Sequence, residues 1–392
     1  MSTQITPVAA IPPAASATES QTRVAVICDF AEENWPSMDL VGDMLHEHLR
    51  DYEMLAPRRI RPAMRSVGAP TGKSARLFGR FVTYPRLLRR LARNFDIFHI
   101  VDHSYAHLVH ELPAHRTIVT CHDLDTFRCL LEPKLEPRSL AFRTMTRRIL
   151  SGMQRAAHVT CDTAATRDSI LRYRLLPPER LTVVHNGVHT SLSPLADRIA
   201  DGEIARQLRR EPQLCPELLH VGTTIRRKRI DVLLHVFAEV RRHNPDVRLL
   251  RVGPSLTADQ RELARNLGIH QHIDELEHLE TRNLAACYRR ASVVLQPSDA
   301  EGFGLPVIEA MACGTPVIAS DIPALREVGG NAALFCGVAN IPDWTSSVLR
   351  LLALRGNEWQ TIRVRALQQA SGFSWSHHAD RMAEIYRQVL SS

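Results

Sequence analysis

The chain runs to 392 residues, longer than a single hydrophobic core usually grows, and its 44% hydrophobic and 23% charged content is that of a globular protein of two domains. No apolar run is long enough to cross a bilayer, which excludes a helical membrane-spanning protein. The net charge of +7 is concentrated: eleven Lys or Arg and no acid lie between Arg58 and Arg93, a block suited to an anionic membrane, a phosphate-bearing substrate or nucleic acid.

Residues 1–21 are rich in Ala, Pro, Ser and Thr and lack a basic head leading into an apolar stretch, so they read as a disordered leader and not a secretion signal. The eight cysteines are scattered without a C-x-x-C pair, and Cys28, Cys121 and Cys161 lie in or beside apolar runs where a thiol packs as a small hydrophobe. Both features point to the cytoplasm. Short β-branched runs alternate with amphipathic helical stretches from there on, which predicts the α/β class, with parallel sheets covered by helices. The first half has predicted strands at 24–28, 97–101, 118–121, 159–161 and 181–184. The second half has them at 218–221, 248–252, 293–296, 316–320 and 333–335. Residues 193–216 are polar and strand-free and place the domain junction there, which gives domains over 22–195 and 217–372 and a linker over 196–216.

Three stretches carry chemistry. TIVTCHDL puts His122 and Asp123 at the carboxyl end of a strand, the edge where ligands of α/β folds bind, although a lone histidine there is commonly structural. LHVGTTIRRKRIDVLL ends a strand at Gly222 and leads through four consecutive cations, Arg226 to Arg229, into a helix from Asp231, a loop suited to an anion. The third, residues 299–320, reads DAEGFGLPVIEAMACGTPVIAS. It follows a strand, opens with glycines, continues as a helix with Pro306 in its first turn and ends at Gly314. A glycine-bearing turn at a helix start offers N–H groups and the positive end of the helix dipole, so the backbone of Phe303, Gly304 and Leu305 is expected to face a diphosphate. Glu309, one turn further on, is placed to accept two ribose hydroxyls, and Glu301 to do the same for a sugar. No metal site is expected: His99, His103 and His107 stand four apart, but the first falls in a strand.

The third stretch and its continuation SDIPALREVGGNAALF resemble the E-x7-E region of retaining nucleotide-sugar glycosyltransferases of the GT-B fold, glycosyltransferase family 4 or glycosyl transferases group 1, with Glu301 and Glu309 at the two motif positions. The likeness extends over roughly Val24 to Leu390. It implies two Rossmann-like domains facing across a cleft, the C-terminal one holding the nucleotide. It also implies a closing helix over 373–392, introduced by FSW, that returns to the N-terminal, acceptor-side domain. By resemblance Glu301 lies by the donor sugar, Glu309 binds the ribose, Lys228 contacts the diphosphate and His122 reaches the donor sugar. Many members carry an arginine directly after the glycine where this chain has Thr223, which leaves the second donor-binding cation to Arg227 or Arg226. Many also carry a glycine pair after the first strand, where this chain has only Gly42.

The resemblance implies a hexosyltransferase-type enzyme that retains anomeric configuration and needs neither metal nor cofactor, since cations and the helix dipole neutralise the departing diphosphate. The expected partners are a nucleotide-sugar donor and a lipid-linked or saccharide acceptor, in cell-surface polysaccharide or glycolipid synthesis. An anionic membrane surface is a further partner through 58–93, where Phe78, Phe81, Leu87, Leu88 and Leu91 alternate with cations as in interfacial helices. Nucleic acid is not expected, because no stacking platform or reading motif accompanies the charge. The expected location is cytoplasmic, with a peripheral place on the inner face of the membrane. Rival readings are an epimerase or phosphorylase on the same scaffold and a non-catalytic nucleotide-sugar-binding subunit.

Overall fold

Strands that are apolar up to their last residue, such as VVLQ at Val293–Gln296 and VIAS at Val317–Ser320, have no solvent face to offer and are buried throughout, the condition of parallel sheets covered on both sides. The computed structural model describes residues 21–33, 35–63, 73–210 and 215–392. The expected leader, except its last residue, and residues 64–72 of the basic segment lie outside the described residues. Among the described residues, twelve strands pair in parallel in two six-stranded sheets.

The first sheet contains β1 (Thr22–Ile27), β2 (Leu55–Ile60), β3 (Ile97–Ile100), β4 (Thr117–Cys121), β5 (His158–Cys161) and β6 (Leu181–Val183), in the order β2-β1-β3-β4-β5-β6. The second contains β7 (Glu217–Val221), β8 (Arg248–Val252), β9 (Ile273–Leu276), β10 (Val293–Gln296), β11 (Val317–Ser320) and β12 (Leu334–Cys336), in the order β12-β11-β10-β7-β8-β9. Each sheet is buried on both faces. In the second, Leu219, Leu250 and Val294 pack into one core and Leu218, Leu249 and Leu295 into the other, as the two-residue alternation of a strand requires. Ten strands coincide with the predicted runs. The two that were not predicted, β2 and β9, are edge strands, and β2 holds Pro57 and the first cations of the basic segment, a composition that edges tolerate.

The chain divides into two compact units, one of 1–185 with 375–392 and the other of 186–374. Residues 196–216, read from the sequence as a linker, contain the helix Arg198–Leu208. Its Ala200, Ile204 and Leu208 recur every four residues and are buried in the second unit, and Asp197 caps it by accepting from the N–H groups of Ile199 and Ala200. Among the described residues of that stretch there is no strand before Glu217, as read, but the helix makes it packed structure. The helix Trp375–Ser391 belongs to the first unit, where Ala379, Met382 and Tyr386 share a core with Val24 and Val26. Tyr386 Oη lies 2.7 Å from Nδ1 of His99.

The basic segment is also packed more deeply than a surface stripe. In and beside the helix Tyr84–Leu91, Leu88 is buried and Phe81, Leu87 and Leu91 pack on the core, whereas Phe78 is 40% exposed. Several cations are already paired: Arg59 with Asp43, Arg61 with Asp39 at 2.9 Å, and Arg89 with Glu111. Arg80 lies 4.0 Å over the ring of Tyr105. Arg86, Arg90 and Arg93 are exposed. Among the described residues no helix is long and apolar enough to cross a membrane.

Candidate functional site

In the second sheet the strand order reverses between β7 and β10, and in open parallel sheets ligands bind beyond the carboxyl ends of the strands at such a reversal. The two loops leaving that point carry Lys228, after β7, and Glu301, after β10. Lys228 Nζ donates to Glu301 Oε1 at 2.6 Å, and Arg227 Nη1 lies 3.7 Å from Glu301 Oε2. Gln296 Nε2 at 2.6 Å and Ser298 Oγ at 2.7 Å also donate to Oε1. The Glu301 side chain is only 6% exposed. Burial by itself raises its pKa, and the charges of Lys228 and Arg227 with the bonds from Lys228 and Ser298 reverse this, holding the carboxyl below its ordinary 4.5. Glu301 is therefore an ionised acceptor.

Glu301 is followed by a turn in which Gly304 has φ +101, and the helix Leu305–Ala312 starts directly after it with Pro306 in its first turn. A Cβ on Gly304 would lie 2.5 Å from Leu325 Cδ2, so both the backbone angle and the space select glycine. The helix closes as expected at Gly314: Gly314 N donates to Met311 O and Thr315 N to Ala310 O, each at 2.9 Å. Phe303 is buried, with its ring centroid 5.9 Å from that of Phe373.

Glu309, the second motif acid, has a different environment. It is 7% exposed and accepts a hydrogen bond from Tyr288 Oη at 2.7 Å. Burial raises its pKa and the Tyr288 bond opposes that only in part, so the carboxyl stands above its ordinary value. Two acids eight positions apart are thus set in opposite directions, one lowered by cations and the other raised by burial that a phenol offsets only in part. Thr223, where the sequence departs from the resemblance, is partly buried and its Oγ1 has no hydrogen-bond partner.

His122 lies at the carboxyl end of β4 in the first unit. Its Nδ1 is 2.6 Å from Asp162 Oδ2 and its Nε2 is 2.7 Å from the Val101 carbonyl. Both acceptors require protons on the ring. Burial, the largest influence, lowers the His122 pKa, but Asp162, by charge and hydrogen bond, and Asp102 push it up to about 10. The imidazolium is thus held at both nitrogens. The structure brings Thr223, Arg227, Lys228, Glu301, Phe303, Gly304, Leu305 and Glu309 together on the second unit, while His122 sits on the first.

Sequence reasoning missed Tyr288, Asp162, His220 and Arg251. The last two carried a legible signal: a charged or polar residue directly after two leucines and before the closing valine of a strand, in ELLHV and RLLRV.

Comparison with known proteins adds to this geometry. Residues 203–363 match the family model described as glycosyl transferases group 1, and residues 44–192 match glycosyltransferase family 4. A D-inositol 3-phosphate glycosyltransferase of Catenulispora acidiphila is 32% identical over 60% of this chain and 58% of its own length. One of Nocardia farcinica is 37% identical over 45% of this chain and 41% of its own length. The chain thus aligns with between two fifths and three fifths of the length of these relatives. Among solved structures, sucrose-phosphate synthase of Thermosynechococcus elongatus superimposes with a TM-score of 0.75 at 20% identity, covering 95% of this chain and 100% of that one. Anabaena HepE in complex with UDP superimposes with a TM-score of 0.69 at 15% identity, covering 94% and 100%. These likenesses show that the α/β fold is that of GT-B proteins.

Proposed function

Since the chain belongs to the GT-B glycosyltransferases of group 1 and family 4, we propose that it transfers a sugar from a nucleotide-sugar donor to an acceptor, with retention of anomeric configuration and without a metal. The observation that supports this reading best is the Lys228–Glu301 pair at the reversal of the second sheet, beside a helix start that carries Glu309 in its second turn. Lys228 moves from Glu301 to the diphosphate as the donor enters, and the helix start faces the same phosphates. As the nucleoside diphosphate departs, negative charge grows on its oxygens, and a preorganised cation and N–H groups stabilise that charge more than the ground state. Glu301 is left free to accept from a hydroxyl of the sugar, and Glu309 accepts from the ribose. His122, whose ring protons are committed to Asp162 and Val101, enters as a fixed positive charge and not as a proton carrier.

The acceptor belongs to cell-surface polysaccharide or glycolipid synthesis in this reading. Two relatives are named for D-inositol 3-phosphate, and a phosphate-bearing acceptor of that kind falls within the same reading. The deciding experiment incubates the protein with a panel of nucleotide sugars, alone and with inositol 3-phosphate or cell lipid extract. Nucleoside diphosphate released only when acceptor is present supports transfer. Epimerisation without acceptor, or binding with no turnover, would replace it with the epimerase or partner-subunit reading.

A further inference from the structure

Behind the loop that carries Lys228, buried polar groups without partners gather at one end of two neighbouring strands. His220 and Arg251 are register partners in β7 and β8, so their side chains share a sheet face. Both are 0% exposed. Neither ring nitrogen of His220 has a hydrogen-bond partner, and the same holds for Nε of Arg251 and Oγ1 of Thr223. Arg251 directs its other nitrogens at carbonyls, Nη1 to Pro254 at 2.9 Å and Nη2 to Gly222 at 2.8 Å. The acids that act on it, Glu275 and Glu277, are bonded to the N–H groups of Leu256 and Ser255. Arg251 is therefore a buried cation with no salt bridge among the described residues, and Glu275, its register partner in β9, offsets the cost of its burial only in part, so an anion nearby would stabilise it further.

Of the turns above it, the one at Gly253 packs directly against the Gly222 backbone, while Gly222 makes ordinary contacts on its other side. A Cβ on Gly253 would lie 2.2 Å from the Gly222 carbonyl oxygen, and one on Gly222 would lie 3.4 Å from His220 Cε1 and 3.8 Å from Lys228 Cε. A displacement of Arg251 thus passes through Gly222 to Thr223 and to the Lys228 loop. His220 adds no charge: burial, with the fields of Arg251 and Lys228, holds it well below its ordinary range and so neutral.

We propose that Arg251 is a positioning residue for a diphosphate, fixing the Gly222–Thr223 turn through its bond to the Gly222 carbonyl and placing a positive charge behind Lys228. The Thr223 hydroxyl is then the group at that turn that donates to a phosphate oxygen. This inference rests on the donor reading above and adds to it a charge that approaches from beneath the sheet edge, out of reach of direct contact.

The test is calorimetric titration of the full chain, Arg251→Met and Arg251→Lys with inorganic pyrophosphate, and with UDP, ADP and GDP each beside its own nucleoside. Arg251→Met is expected to weaken pyrophosphate and the bound nucleoside diphosphate about tenfold or more while leaving the nucleoside unchanged, and Arg251→Lys to recover part of the loss. A purely structural role would weaken nucleoside and diphosphate alike, which overturns the inference. Undiminished pyrophosphate affinity in Arg251→Met overturns it too and leaves the donor reading standing. A wild-type chain that binds none of these probes overturns the donor reading and this inference with it. Should Arg251→Met not fold, Arg251→Lys carries the same comparison, with equal losses for nucleoside and diphosphate as the overturning result.

Discussion

The ammonium of Lys228 lies 2.6 Å from a carboxylate oxygen of Glu301, 73 positions further along the chain, in a pair whose side chains are 12% and 6% exposed. The contact joins the loops after β7 and β10, so it links the stability of the second unit to the site proposed for the donor.

Lys228→Ala leaves Glu301 buried without its main counter-charge, and the cost is about 3 kcal/mol of stability with turnover reduced roughly 10²-fold or more. The pH dependence has a definite sign. The folded-state pKa of Glu301 is depressed, so its contribution is complete above the ordinary carboxylate value of 4.5 and is lost as pH falls through the folded value. Denaturant melts at neutral and acid pH should show a smaller acid-side loss in Lys228→Ala than in the wild type. An unchanged acid limb would remove Lys228 as the cause of the depression.

Tyr288→Phe deletes the bond to Glu309 that opposes the effect of burial. Because the Glu309 pKa is raised, its contribution favours the folded state at low pH and is lost as pH rises from the ordinary carboxylate value through the folded one. The variant raises that pKa further, so its deficit relative to the wild type grows with pH and reaches about 1 kcal/mol or more near neutrality. Urea titrations on both sides of the transition measure it, and a deficit independent of pH would show that Tyr288 acts through packing alone.

Asp162→Asn removes the principal group that raises the His122 pKa. In the wild type the raised value stabilises the fold fully below the ordinary histidine value of 6.5 and loses that contribution as pH rises toward about 10. The variant should lose about 3 kcal/mol at neutral pH, and the His122 ring proton signals should titrate far below their wild-type midpoint. An unmoved midpoint would contradict the assignment of Asp162 as counter-charge.

Gly304→Ala forces a Cβ into a left-handed turn and against Leu325. The expected loss is about 1–2 kcal/mol of stability, together with weaker binding of nucleoside diphosphate because the helix start shifts. Thermal melts and titration of the same variant check both effects, and a variant with wild-type affinity would separate the turn from the donor site.

Changing Arg86, Arg90 and Arg93 together to Glu tests the anionic-surface reading of the basic segment. Each exposed cation near an anionic leaflet contributes on the order of 1 kcal/mol, so sedimentation with anionic vesicles at low salt should fall by about two orders of magnitude in affinity. Equal recovery of the wild type in the supernatant with anionic and neutral vesicles would leave these residues with no membrane role.

What could be read from the sequence is what depends on near neighbours in the chain. Short β-branched runs set between amphipathic helical stretches marked ten strands and the α/β class, and Gly304, Pro306 and Gly314 marked a turn, a helix start and a helix end within a dozen residues, because backbone angles and helix caps are local properties. The tertiary structure alone decided what depends on partners distant in the chain. Edge strands β2 and β9 carry too little apolar pattern to announce themselves, and only pairing with β1 and β8 defines them. Alternation alone cannot say that the apolar residues around Arg86 turn inward, or that the His122 ring is held at both nitrogens. The two motif glutamates look alike in sequence. One meets Lys228 and Arg227, which ionise it readily, and the other is buried with only the Tyr288 hydroxyl to offset the cost of its charge, so it is held back. Arg251 is the extreme case: a charge between Leu250 and Val252 marks it as unusual, but its role depends on the Gly222 carbonyl that the neighbouring strand sets beside it.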